Sequence, residues 1–148
     1  MPFCFTLQAV LRWRESYERR ERQRLEAITR EWIRARAQLE QSKRERATAL
    51  QRLQRSLTQG MIAGEMHFEL ASERVRARQF AAWSDRVATL KDLRQRQLVA
   101  FRKAQQQRKI LENLRDRQLT LYKLDQVRRA QQQIDDGFLH TRPNTNTP

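Results

Sequence analysis

The sequence predicts an all-α protein, a long antiparallel two-helix coiled coil (a helical hairpin), on three observations. Its 148 residues are 32% charged and 39% hydrophobic, with Arg, Gln, Leu, Ala and Glu dominant, a composition typical of long helices. Apolar residues recur at alternating spacings of three and four, the signature of a coiled-coil seam. Two of the three glycines, Gly60 and Gly64, fall within five residues near the middle of the chain. A glycine inside a helix costs about 1 kcal/mol relative to alanine, so the pair marks a place where helix is unwanted. High charge with low hydrophobicity also fits disorder. Three Trp, six Phe and regularly spaced aliphatic residues favour helices over that reading.

The first helix is expected over residues 6–58, with Thr6 as its N-cap. From Leu25 the positions Leu25, Ile28, Trp32, Ala35, Leu39, Ser42, Arg46, Ala49, Leu53 and Ser56 alternate by three and four, and seven of these ten are apolar. Upstream, "RWRESYERRERQR" is nearly all charge, with Trp13 and Tyr17 its only apolar members, so that segment reads as weakly held. A turn is expected over 59–64. Gly60 suits the left-handed position that ends a helix, and Glu65 suits the positive end of the next. The second helix is expected over 65–136, with Met66, Leu70, Ala77, Phe80, Val87, Leu90, Leu93, Ala100, Ala104, Leu111, Leu114 and Leu121 as its stripe. Gly137 then ends it, and 137–148, closing in "TRPNTNTP", reads as a disordered tail.

A lone amphipathic helix is marginal, whereas two antiparallel helices bury each other's stripes. The chain 1–148 is therefore expected to be a single hairpin whose tip is the glycine pair. Its arms differ in length, roughly 80 and 110 Å at 1.5 Å per residue, so the second helix overhangs the first. A dimerisation coiled coil with a bent middle is the plainer alternative.

Little chemistry is on offer. There is no Gly-rich phosphate loop followed by Lys and Ser/Thr. The lone Cys4 has no disulfide partner, His67 and His140 stand apart without companion ligands, and Asp135 and Asp136 sit near a helix end. No enzyme activity, metal or cofactor is expected. The longest uncharged run, "MPFCFTLQAVL", falls short of the ~20 apolar residues that cross a bilayer and lacks the features of a signal peptide. The net charge of +14, at a sequence pI near 11.4, calls for an acidic partner.

Two stretches carry a family resemblance. The opening "FTLQAVLRWRESYERRERQRL" resembles the start of the flagellar export protein FliJ family, through Phe5, Leu7, Val10, Leu11, Arg14, Tyr17 and Glu18. The distal "RKILENLRDRQLTLYKLDQVRRAQQQIDDGFL" is similar to that family's C-terminal run, through Leu111, Glu112, Leu114, Arg115, Asp116, Arg117, Tyr122, Asp135 and Asp136. The resemblance implies a hairpin similar to the rotor coiled coil of the F1-ATPase gamma subunit. It implies a non-enzymatic component of flagellar type III protein export, hence of motility. Such a stalk inserts into and activates the ring of the export ATPase FliI and couples it to the cytoplasmic domain of the export gate FlhA. FliH and export chaperones are further implied partners. The implied location is cytoplasmic, peripheral at the inner membrane through the export apparatus, with no membrane insertion.

Two surfaces follow as expectations. Arg12, Arg14, Arg19, Arg20, Lys123, Arg128 and Arg129 are cations at the terminal end, suited to acidic loops of an ATPase pore. For gate contact the resemblance indicates positions about Gln38, Ser42, Glu45 and Ala49 on the first helix, with Ser72, Arg76, Gln79 and Trp83 on the second. Phe68 and Trp83 are the better anchors on physical grounds, since aromatic residues dominate interfaces; hairpin core is the plain alternative for both. The stalk proteins of virulence-type secretion systems share this pattern, and the F-x-L opening favours the flagellar branch. A nucleic-acid-binding coiled coil is the third reading. It would gather Lys and Arg in acid-free runs, whereas here acids are interleaved, as in "RRERQRLEAITRE".

Overall fold

The computed structural model describes residues 1–141. Two helices make up the fold: α1 spans Gln8–Gln59 and α2 spans Ala63–Thr141. They pack against each other antiparallel. In one stretch Arg46 meets Glu73, Glu31 meets Arg86 and Glu21 meets Gln97, so numbers fall along α1 as they rise along α2.

α1 starts two residues later than the Thr6 cap implies. Thr6 and Leu7 form a turn, closed by a backbone bond from the Gln8 N–H to the Phe5 carbonyl at 3.1 Å. Phe5 is buried and anchors that turn. Gly60 has φ +91°, the left-handed conformation that lets a helix stop without strain. Gly64 behaves differently from expectation: α2 has already begun at Ala63, so Gly64 lies inside its first turn beside Glu65. Gly137 likewise does not end α2, which runs on to Thr141. At both sites a Cβ would meet nothing within 4 Å, so neither glycine is there for space. The rest of the expected tail, 142–148, lies outside the described residues.

The chain divides into two compact units: Arg19–Lys103, and Met1–Glu18 with the chain from Ala104 onward. In the first, all ten α1 positions from Leu25 to Ser56 are shielded from solvent at least in part, with Ala35 fully buried. The α2 side differs from the expected stripe. Glu69, Glu73, Arg76, Phe80, Trp83, Val87, Leu90, Arg94, Gln97 and Phe101 form an unbroken shielded alternation of four and three, and Ser72, Ala77, Leu98 and Ala100 beside them are partly shielded as well. Met66, Leu70 and Leu93 are exposed. The heptad is therefore real, but several of its seam positions are polar.

The second unit repeats the pattern. Leu11 and Ala104 are both buried, at 0% and 1% exposure, with Arg14 and Glu18 on the α1 seam and Arg108, Leu111, Arg115, Gln118 and Tyr122 on the α2 seam. The charge-rich "RWRESYERRERQR" was expected to be weakly held by Trp13 and Tyr17. Trp13 is instead 55% exposed, and the buried residues are the carboxylates Glu18 and Glu21.

Candidate functional site

A helix pair has no cavity in which to enclose a substrate, so its functional groups are the side chains its faces present. Three kinds occur here: paired charges inside the seam, open clefts along it, and apolar residues off it.

The seam charges are matched across the hairpin. The Arg108 Nε donates to Glu18 while its Nη1 donates to Glu112 at 2.6 Å. Burial works against the Arg108 cation, but those bonds outweigh it and raise its pKa further. Gln97 donates to the Glu21 carboxylate and, at 3.1 Å, to the Glu21 carbonyl. Arg46 donates to Glu73 at 2.5 Å, and Arg76 bridges Glu73 and Glu69. The Arg46 hydrogen bond holds the Glu73 carboxyl below its ordinary pKa. Arg36 and Arg94 lie over the Trp32 ring at 4.7 and 5.0 Å, a cation–π clamp that stiffens the seam. The Trp32 indole N–H is buried without a partner. Sequence reasoning missed the α2 half of this network because it looked for apolar residues at a and d positions. A charge-matched heptad was the available signal.

The predicted ATPase-facing cations are not gathered into one cluster. Arg14 belongs to the seam: half-buried, it donates to Gln107 at 2.5 Å and stacks on Trp13 at 4.8 Å. Arg12 is exposed beside it, and Arg19 and Arg20 are exposed in the other unit. Lys123, Arg128 and Arg129 lie past Tyr122, which meets the N-terminal segment: its hydroxyl donates to the Met1 carbonyl, and its ring packs on Phe3 at 5.6 Å. Arg128 sits about 30 Å along α2 from the Gln107 that Arg14 contacts, at 1.5 Å per residue. Arg129 is paired with Asp125 at 2.8 Å.

The expected gate-facing residues all fall in the Arg19–Lys103 unit, and six of the nine line three open clefts. Glu45, Ala49 and Arg76 line one of about 540 Å³. Gln38 and Trp83 line another of about 230 Å³ together with Glu31, Arg34, Arg86 and Leu90. Phe68 lines a third of about 400 Å³ beside the interhelix turn, with Ser56, Met61 and Glu65. Ser42 is a half-shielded seam residue, Ser72 is half-shielded beside the seam, and Gln79 is exposed. Phe68 is 70% exposed, which removes hairpin core as its explanation; Trp83 is half-buried.

Among the described residues no group of three or more metal-ligating side chains occurs, and no helix is long and apolar enough to cross a membrane. Cys4 is exposed. Comparison with curated proteins and with solved structures gave no match. The family profile described as "Flagellar FliJ protein" matches residues 3–144.

Proposed function

Because the chain belongs to the flagellar FliJ family, a non-catalytic component of the flagellar export apparatus, we propose that it is the stalk of the export ATPase. It inserts into the FliI ring, stimulates hydrolysis there and couples the ring to the cytoplasmic domain of FlhA. FliH and export chaperones are further partners, and the protein works at the cytoplasmic face of the inner membrane. The observation that carries this reading is the bare extension of α2. Residues 123–141 are helical and exposed throughout, giving about 28 Å of single helix beyond the Tyr122 contact. A single helix is slim enough to enter a ring; its three cations are balanced by Asp125, Asp135 and Asp136, and with Arg129 paired to Asp125 Lys123 and Arg128 are the cations offered to acidic loops.

The gate surface is assigned to the Arg19–Lys103 unit, with Phe68 and Trp83 as anchors. The test is hydrolysis by the cognate ATPase with and without this protein. Stimulation that disappears on truncation after Tyr122, with helicity kept, supports the reading; full stimulation by the truncated chain refutes the assigned contact.

A further inference from the structure

The bare extension of α2 also carries an apolar stripe that the hairpin cannot use. Leu124, Val127, Ile134 and Phe138 are all at least half exposed. With Gln131 between them they alternate by three and four, a stripe about 80° wide at ~100° per residue. The α1-facing seam of α2 continues past Tyr122 as Asp125, Arg129, Gln132 and Asp136, all polar. That line lies roughly 150° around the helix from the stripe. The stripe is thus a second coiled-coil seam on the opposite face, and its occupant is not α1.

We propose that this stripe pairs antiparallel with the same stripe of a second copy. The flanking charges select that occupant. On one edge of the stripe stand Arg128 and Asp135, seven residues apart. Among the described residues Arg128 has no ion pair, and Asp135 only accepts a hydrogen bond from Gln131 at 2.9 Å. With Val127 opposite Phe138 and Gln131 opposite Ile134 of the second copy, the two-fold brings each Arg128 beside the other Asp135. An isologous contact makes every such pair twice. A parallel pairing would set Lys123 against Arg128, like charge on like, at the interhelical flanking positions. The charge pattern is self-complementary in one orientation only.

The pairing does not depend on the ATPase reading, and it covers the helix that reading sends into the ring. Its test uses the purified full-length chain alone, so its failure leaves the stalk assignment untouched. In sedimentation at low salt, the average mass should rise with concentration from 17.9 kDa toward twice that value. Arg128→Asp alone or Asp135→Arg alone turns two attractions into repulsions and should weaken association about tenfold. The double swap should restore it. Ile134→Glu should abolish association while circular dichroism stays helical. In a Cys4→Ser background, a mixture of Val127→Cys and Phe138→Cys chains should form the mixed disulfide in preference to either self-linked product. A single 17.9 kDa species up to about 1 mM, a dimer indifferent to the charge swap, or preferential self-linking of Val127→Cys would each overturn the proposal.

Discussion

Glu18 and Glu21 are 4% and 3% exposed, and a carboxylate so placed is tolerated only with its hydrogen bonds made. Arg108 and Gln97 supply them. Removing one partner of a buried pair strands the other, whereas replacing both by apolar residues is often neutral. Glu18→Ala should therefore cost roughly 3 kcal/mol of unfolding free energy, and Glu18→Leu with Arg108→Met should recover most of it; denaturant melts decide. Glu73 gives a pH dependence. Its folded-state pKa is depressed by Arg46, so its contribution is fully present above the ordinary carboxylate value. That contribution fades as pH falls through the lower folded value, below about pH 4. Glu73→Gln should flatten the acid limb of a plot of melting temperature against pH. The glycines separate on the same scale: Gly60→Ala forces a side chain into φ +91° and should destabilise. Gly137→Ala, in a helix interior with open space around it, should raise local helicity, in line with a propensity gain of about 1 kcal/mol. Hydrogen exchange at residues 133–141 reads that gain directly.

At the scale of the element, α2 changes character at Tyr122. Before it, one face is shielded by α1; after it, all faces are open. Truncation after Tyr122 removes no residue that shields the seam, so melting should barely change while ATPase stimulation is lost. Phe68 near the turn and Trp83, farther along α2, offer aromatic anchors. Their replacement by Ala should weaken binding to the proposed gate partner by about 2 kcal/mol or more each and leave ATPase stimulation intact. Phe68→Ala is the cleaner variant, since its 70% exposure leaves little packing to lose. Charge reversal at Arg128 tests the other surface without touching the α1–α2 seam, and sedimentation of the same variant separates that effect from any change in self-association. The same change at Arg14 confounds the test, because it also breaks the bond to Gln107.

For the whole molecule the antiparallel pairing is itself testable. In a Cys4→Ser background, cysteines at Arg46 and Glu73, whose side chains meet across the hairpin, should link within one chain. Only intermolecular products would favour a bent dimer. The net charge of +14 makes any encounter with an acidic ring steered by a field that salt screens, with a Debye length of about 8 Å at physiological ionic strength. Raising salt should slow association with the ATPase more than it speeds dissociation.

The two helices, their reversal at Gly60 and the α1 seam from Leu25 to Ser56 were legible in the residues, because helical period and a left-handed glycine are local properties. Membership of the FliJ family was legible too, through the order and spacing of the two terminal stretches. The α2 seam was legible only in part: Ala77, Phe80, Val87, Leu90, Ala100, Ala104 and Leu111 are shielded as expected. Met66, Leu70, Leu93, Leu114 and Leu121 are as apolar as any core residue, yet they are exposed, while Glu73, Arg94, Gln97 and Arg108 face α1. A polar residue becomes a seam residue only when a counter-charge stands opposite it, and which residues stand opposite depends on the register between two segments far apart in sequence. The same holds for the surfaces. Residue type nominated the arginines and aromatics, but only the packed hairpin separated Arg14, locked to Gln107, from Arg128, left open on a bare helix. Local propensity determined the elements, and pairing across the hairpin decided which faces remained free to meet a partner.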